Sequence, residues 1–156
     1  MRAVLAIALV LLAAGGAGAD DRVWGSGVVR YGGRAVVTRY LDQLPAGLQP
    51  GSQPERVTIR WPYEGAGMPS EIEQVRMDRL GDQLAPAVER DGLATLVAVS
   101  IGNGRCEWLY YTRASREFVA RLNALLRDQP RPPIQIDLAR DPQWRTYHGV
   151  REEARR

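Results

Sequence analysis

Leu96-Val97-Ala98-Val99-Ser100-Ile101-Gly102-Asn103-Gly104-Arg105-Cys106-Glu107-Trp108-Leu109-Tyr110-Tyr111 is the stretch whose reading decides the fold. Two β-rich runs meet at Asn103-Gly104, a pair that readily takes positive φ at both central positions of a two-residue hairpin turn. Counting outward from that turn sets Gly102 opposite Arg105, Ile101 opposite Cys106, Val99 opposite Trp108 and Val97 opposite Tyr110. Directly opposed residues point to the same side of a sheet. One face therefore carries Val97, Val99, Ile101, Cys106, Trp108 and Tyr110. The other carries Leu96, Ala98, Ser100, Gly102, Arg105, Glu107, Leu109 and Tyr111. The first set is the more apolar and is expected to lie under helices. That placement makes the lone Cys106 a small core residue, since a reactive thiol needs an exposed, electropositive site.

Working outward, Val57, Ile59 and Trp61 alternate with Thr58 and Arg60, the pattern of a half-buried strand. Ser70 precedes Glu73 at capping-box spacing, and Leu80, Leu84, Ala87 and Val88 continue at helical spacing until Asp91-Gly92. Beyond the central hairpin, Ser115 is placed to cap a second helix with Phe118, Leu122, Leu125 and Leu126 as its apolar stripe. Pro130, Pro132 and Pro133 stop it. Ile134, Ile136 and Leu138 then alternate with Gln135 and Asp137 in a last strand, and are expected to join Val57, Ile59 and Trp61 on the buried face. Upstream, residues 22–31 and 34–41 are β-rich and meet at Gly32-Gly33, a hairpin, followed by a Pro- and Gly-rich loop over 42–55. The order β-α-β-β-α-β after the first hairpin predicts an α+β fold: a ferredoxin-like antiparallel sheet with both helices on one face, preceded by an N-terminal β-hairpin. Asp141-Pro142 opens a further helical segment, in which Trp144 and Tyr147 fall on one side and can dock on the domain.

The 156 residues, 25% charged and 45% hydrophobic with a single Cys, exclude a coiled coil, a collagen, a disulfide-stapled mini-protein and wholesale disorder. All 21 basic residues are Arg. Met1-Arg2, the apolar run Ala3–Ala14 and the small residues Gly15–Ala19 have the order of a secretory signal peptide. The run is too short to span a bilayer, which takes about 20 apolar residues. The expected organisation is a signal peptide over 1–19 with cleavage before Asp20, one domain over 20–148 and a frayed charged tail over 149–156. Export to the periplasm or beyond follows, with no stable membrane insertion after cleavage.

Chemistry-bearing motifs are sparse. His148 is the sole histidine, so a multi-His metal site within one chain is excluded. No Ser sits in a G-x-S-x-G elbow, and no phosphate- or dinucleotide-binding glycine motif follows a strand. No catalytic, metal or cofactor residues are assigned. What remains is the polar sheet face, where Arg60, Arg105, Glu107, Gln135, Asp137 and Tyr111 form a candidate surface for a protein partner or small ligand. With Trp108 and Tyr110 turned inward, that face lacks the aromatic platform on which nucleic-acid-binding sheets stack bases, so nucleic acid is not expected. Two other readings stand beside this one: a periplasmic hydrolase using Glu107, Asp137 and Arg60, and a structural module that dimerises through the N-terminal hairpin. The expected state is monomer or weak homodimer.

Gly67-Met68-Pro69-Ser70-Glu71, Gly104-Arg105 followed by Tyr110-Tyr111, and above all Asp141-Pro142-Gln143-Trp144-Arg145-Thr146-Tyr147 carry a resemblance. Over roughly residues 24–148 the chain resembles the bacterial family catalogued as domain of unknown function 695. The resemblance implies a small α+β domain and brings no activity or functional residue set.

Overall fold

The structure is a computed structural model that describes residues 22–156; the expected signal peptide lies outside the described residues. Six strands and three α-helices follow in the order β1 (Trp24–Tyr31), β2 (Arg34–Leu41), β3 (Glu55–Pro62), α1 (Glu71–Glu89), β4 (Ala94–Gly102), β5 (Arg105–Thr112), α2 (Ser115–Leu126), β6 (Gln135–Arg140) and α3 (Arg145–Arg155). The strands make one sheet in the order β1-β2-β4-β5-β3-β6, antiparallel at every pairing. The architecture is mixed α/β, with β1 and β6 as its free edges.

The central turn forms at Asn103 and Gly104, both with positive φ, and the pairing runs outward as Gly102–Arg105, Ile101–Cys106, Ser100–Glu107 and Val99–Trp108. It then departs from the simple count. A bulge between Leu96 and Ala98 leaves Val97 unpaired, so Leu96 rather than Val97 stands opposite Tyr110. Two residues facing one change the parity of the strand beyond the bulge. Leu96 therefore moves to the side of α1 and α2, while Val97 packs on the opposite side with Tyr40, Leu109 and Tyr111.

The α1–α2 layer covers Val57, Ile59, Trp61, Cys106, Trp108 and Tyr110 with Met77, Leu80, Leu84, Val88, Phe118 and Leu122. Burial at that scale supplies most of the folding drive, at about 25 cal/mol per Å² of apolar surface. Ile136 and Leu138 depart from expectation: they share this side but remain 37% and 46% exposed. They sit on the edge strand, beyond the reach of the helices.

The second departure is α3. It lies across the face expected to be free of helices, against β1, β2 and β4. Helix α3 begins at Arg145, later than Asp141-Pro142 suggests, because a turn intervenes and Trp144 takes a left-handed conformation at φ 54°. Asp141 still caps it, accepting from the N–H groups of Arg145 at 2.9 Å and Thr146 at 3.0 Å. Residues 149–156 are not a frayed tail. They continue α3 to Arg155, with Ala154 buried, Glu153 bonded to Tyr31, and Arg155 paired with Asp42. Gly27 lets α3 approach, since a Cβ there would overlap the carbonyl of Ala154.

Helix starts also differ from their local signals. Ser70 accepts from the N–H of Glu73, but the Glu73 carboxylate turns to the indole N–H of Trp61 at 2.9 Å instead of closing the capping box. Ser115 is the first residue of α2 rather than its cap. Its N–H donates to Glu55 of β3 at 2.5 Å, so a carboxylate 60 residues away serves the helix end. The Ser115 bonds hold the Glu55 carboxyl below its ordinary range. A group with a lowered folded pKa stabilises above its unfolded pKa, and that contribution is lost as pH falls through the folded value. Glu55→Gln should therefore cost about 1 kcal/mol near neutral pH, the usual worth of a helix cap. Denaturant titrations across pH should show the gap from wild type closing as acid protonates Glu55.

Candidate functional site

Strand register assembles the site. On the α3 side one transverse row crosses all six strands, with Gly27, Thr38, Ser100, Glu107, Arg60 and Gln135 standing opposite one another in turn. Helix α3 covers the Gly27 end of this row and leaves the β5-β3-β6 end open. Thr38 and Ser100 share a hydroxyl–hydroxyl bond of 3.0 Å. Arg60 Nε donates to Glu107 Oε2 at 2.8 Å, and Arg105 Nε lies 3.7 Å from the same oxygen. One carboxylate is thus shared by two guanidinium groups on adjacent strands.

The next row holds Asp137 opposite Thr58. Arg56 donates to Asp137 Oδ2 at 2.6 Å through one nitrogen and to Thr146 Oγ1 at 2.9 Å through another, tying β6 to the first turn of α3. Glu107 and Asp137 do not form a pair. Strand β3 lies between theirs, which sets the two strands roughly 10 Å apart at ordinary sheet spacing, and each carboxylate is held by a different arginine. Gln135 is exposed beside Arg60.

Tyr111 does not belong to the surface. It is fully buried, its ring stacked on Trp144 at 4.4 Å, and its hydroxyl donates to Asp141 Oδ2 at 2.7 Å. Burial and the Asp141 carboxylate push its pKa up. Burial opposes ionisation of Asp141 too, but the Tyr111 hydroxyl and the N–H groups of Thr146 and Arg145 prevail and hold its carboxyl low. His148 is exposed, its ring 5.1 Å from that of Tyr147.

Residues absent from the sequence-based set complete the surroundings. Arg56 follows from the same alternation that puts Thr58 and Arg60 on this face. Tyr31 and Glu153, joined at 2.8 Å, come from opposite ends of the chain, and no local signal pairs them. With Thr38, Ser100, Arg105 and Glu107 they line a cleft of about 70 Å³ where the free face meets α3. A larger hollow of about 370 Å³ lies at the opposite end of the sheet, lined by Gln53, Glu89, Thr95 and Arg113 among others. Its charges are engaged locally, Arg22 with Glu89 at 2.6 Å and Arg113 with Asp91 at 3.8 Å.

The fold and this face define a mixed α/β domain with one sheet surface half roofed by a C-terminal helix and half open. The chain belongs to the family of unknown function DUF695, whose model matches residues 34–150, from the start of β2 into α3. No curated protein matches it closely enough to lend it an activity.

Two expectations test this geometry. The Arg60 and Glu107 side chains are 39% and 27% exposed, so solvent weakens their pair. A double-mutant cycle with Arg60→Ala and Glu107→Ala should give a coupling of about 0.2–1 kcal/mol that falls with added salt. Cys106 is 3% exposed and burial raises its thiol pKa strongly. Alkylation by iodoacetamide followed by mass spectrometry should label it only after the protein is unfolded.

Proposed function

We propose that the protein is an exported, non-catalytic binding domain that holds a protein partner on the open half of its α3-side sheet face. The observation that carries this reading is the row Glu107–Arg60–Gln135, joined by Arg105 and flanked by Arg56–Asp137. It offers cations, a carboxylate and an amide on a rigid three-strand platform. Arginine forks on such a platform can exchange their intramolecular carboxylates for those of a partner at small cost, because partly exposed pairs are weak. The cleft beside it, at about 70 Å³, falls well below the ~300 Å³ at which pockets begin to enclose drug-sized ligands. That favours an extended protein surface over a small molecule. Nucleic acid is disfavoured because Trp108, Tyr110 and Tyr111 are all buried, leaving no aromatic platform on the open face. Among the described residues no helix is long and apolar enough to cross a membrane.

Export to the periplasm or beyond rests on the arrangement of residues 1–19. We read β3-α1-β4-β5-α2-β6 as a ferredoxin-like unit extended by the hairpin, a view supported by the order β4-β5-β3-β6 and by α1 and α2 sharing one face.

The test compares binding of a periplasmic partner by wild type, the Arg60→Ala/Arg105→Ala double variant, and Arg79→Ala on α1. The face variant should lose at least roughly tenfold in affinity, as truncation of central interface arginines does, and the α1 control should not. Equal binding by all three would remove the face from consideration. Loss of a measured hydrolysis in both Glu107→Ala and Asp137→Ala would replace binding with the hydrolase reading.

A further inference from the structure

Both sheet edges expose apolar side chains, Val28 and Tyr31 on β1 and Ile136 and Leu138 on β6, but α3 packs over the face of β1 and holds its end through Glu153 and Tyr31, while β6 pairs only with β3. Edge strands offer unpaired backbone groups as a template, and proteins usually blunt them with a bulge, an internal proline or a covering element. Strand β6 has no proline within it, and its pairing with β3 shows no register shift.

The hydrogen-bond parity of that edge follows from one bond beyond its end. The N–H of Asp141 donates to the carbonyl of Pro54 at 2.8 Å, directly opposite it in the β3–β6 register. Antiparallel pairs alternate between bonded and non-bonded, so Asp141, Ala139, Asp137 and Gln135 bond inward to β3. The N–H and C=O groups of Ile136, Leu138 and Arg140 therefore point outward. The outward backbone groups thus belong to the same residues as the two exposed apolar side chains.

We propose that β6 pairs with β6 of a second copy of this chain, antiparallel about a two-fold axis through Asp137, giving a continuous twelve-stranded sheet. The outward groups restrict bonded pairs to residues 136, 138 and 140 and their equivalents. Of the registers this allows, the one centred on Asp137 sets Ile136 against Leu138 of the other copy, twice. The apolar row Tyr110–Val57–Leu138 then runs straight into Ile136–Ile59–Trp108 of the second copy. On the other side, Arg56–Ala139 meets Gln135–Arg60, so the two open polar faces merge. Centring on Leu138 instead would set each Ile136 against an Arg140. The chosen register places two Asp137 carboxylates face to face, a repulsive contact that the Arg56 partner of each reduces. Contact over residues 134–140 is smaller than the ~800 Å² per partner of a standard stable interface, so the dimer exchanges rapidly and needs a high protein concentration. The inference stands apart from what the open face binds.

Sedimentation velocity up to ~1 mM protein, a range in which weak complexes populate, should show a concentration-dependent dimer that Leu138→Lys abolishes. A non-bonded pair brings its Cα atoms to ~4.5 Å, within disulfide range. Asp137→Cys should therefore crosslink to itself under a mild oxidant, while Ala139→Cys, which faces Gln135 of the other copy, should not. A protein that stays monomeric to ~1 mM overturns the proposal. So does a dimer indifferent to Leu138→Lys, or equal crosslinking at positions 137 and 139.

Discussion

The contact on which the outer layer depends is Tyr111 against the turn that opens α3. Its ring stacks on Trp144 with planes 15° apart, its hydroxyl donates to Asp141, and the same oxygen accepts from the N–H of Tyr147 at 3.3 Å. Around it, the Trp144 indole N–H donates to the carbonyl of Gln53, and the Tyr147 hydroxyl to the carbonyl of Leu41. Each polar tip of three buried aromatics thus finds a partner, which is what makes such large rings tolerable inside. The backbone bears a cost for this, because Trp144 sits in the left-handed region that residues with a Cβ seldom adopt. The stack and the three side-chain hydrogen bonds outweigh it.

That docking decides which part of the sheet remains a surface. The α3-side face is apolar where the helix crosses it, at Tyr40, Val97, Ala98, Leu109 and Tyr111, and polar where it does not. A single face is thereby divided along its strands. The row from Gly27 to Gln135 passes from a residue with no side chain, beneath the helix, through two hydroxyls to an ion pair and an amide in the open. The glycine and the charges at its two ends answer to the same helix: one admits it, the other lies beyond it.

Most of this was legible wherever the signal was local. The Asn103-Gly104 turn, period-two alternation in β3 and β5, and the apolar stripes of α1 and α2 identified the elements and put Cys106, Trp108 and Glu107 on their sides of the sheet. Arg60, Arg105, Glu107, Gln135 and Asp137 were placed on the α3 side by the same counting. What escaped was long-range or broke a period. The bulge at Val97 adds one residue without any Gly or Pro to mark it. Tyr111 sits where parity puts it, yet the parity of one sheet cannot report a helix folding back over it from 30 residues downstream. Ile136 and Leu138 alternate as a core strand would, because alternation records which side a residue takes and not whether anything covers that side. Arg56 and Glu55 were readable as strand residues, but their partners, Asp137 with Thr146 and the N–H of Ser115, lie 60 or more residues away.

The distribution of roles along the turn that opens α3 separates scaffold from surface. In Asp141-Pro142-Gln143-Trp144-Arg145-Thr146-Tyr147, Asp141 caps α3 and receives Tyr111, Trp144 fills the stack, Thr146 steadies Arg56, and Tyr147 reaches Leu41. Every one of these groups is spent on seating the helix. Four side chains of the stretch are committed in this way, while Gln143 and Arg145 stand exposed, Arg145 Nε donating to Gln143 Oε1 at 2.9 Å. The open polar face lies outside this stretch, on the strands that α3 leaves bare. There a change such as Arg60 to another residue alters what the surface presents without disturbing the clamp. Scaffold and surface are thus carried by separate contact sets, a fold being distinct from the site it bears, and in this chain the boundary between the two is the near edge of α3.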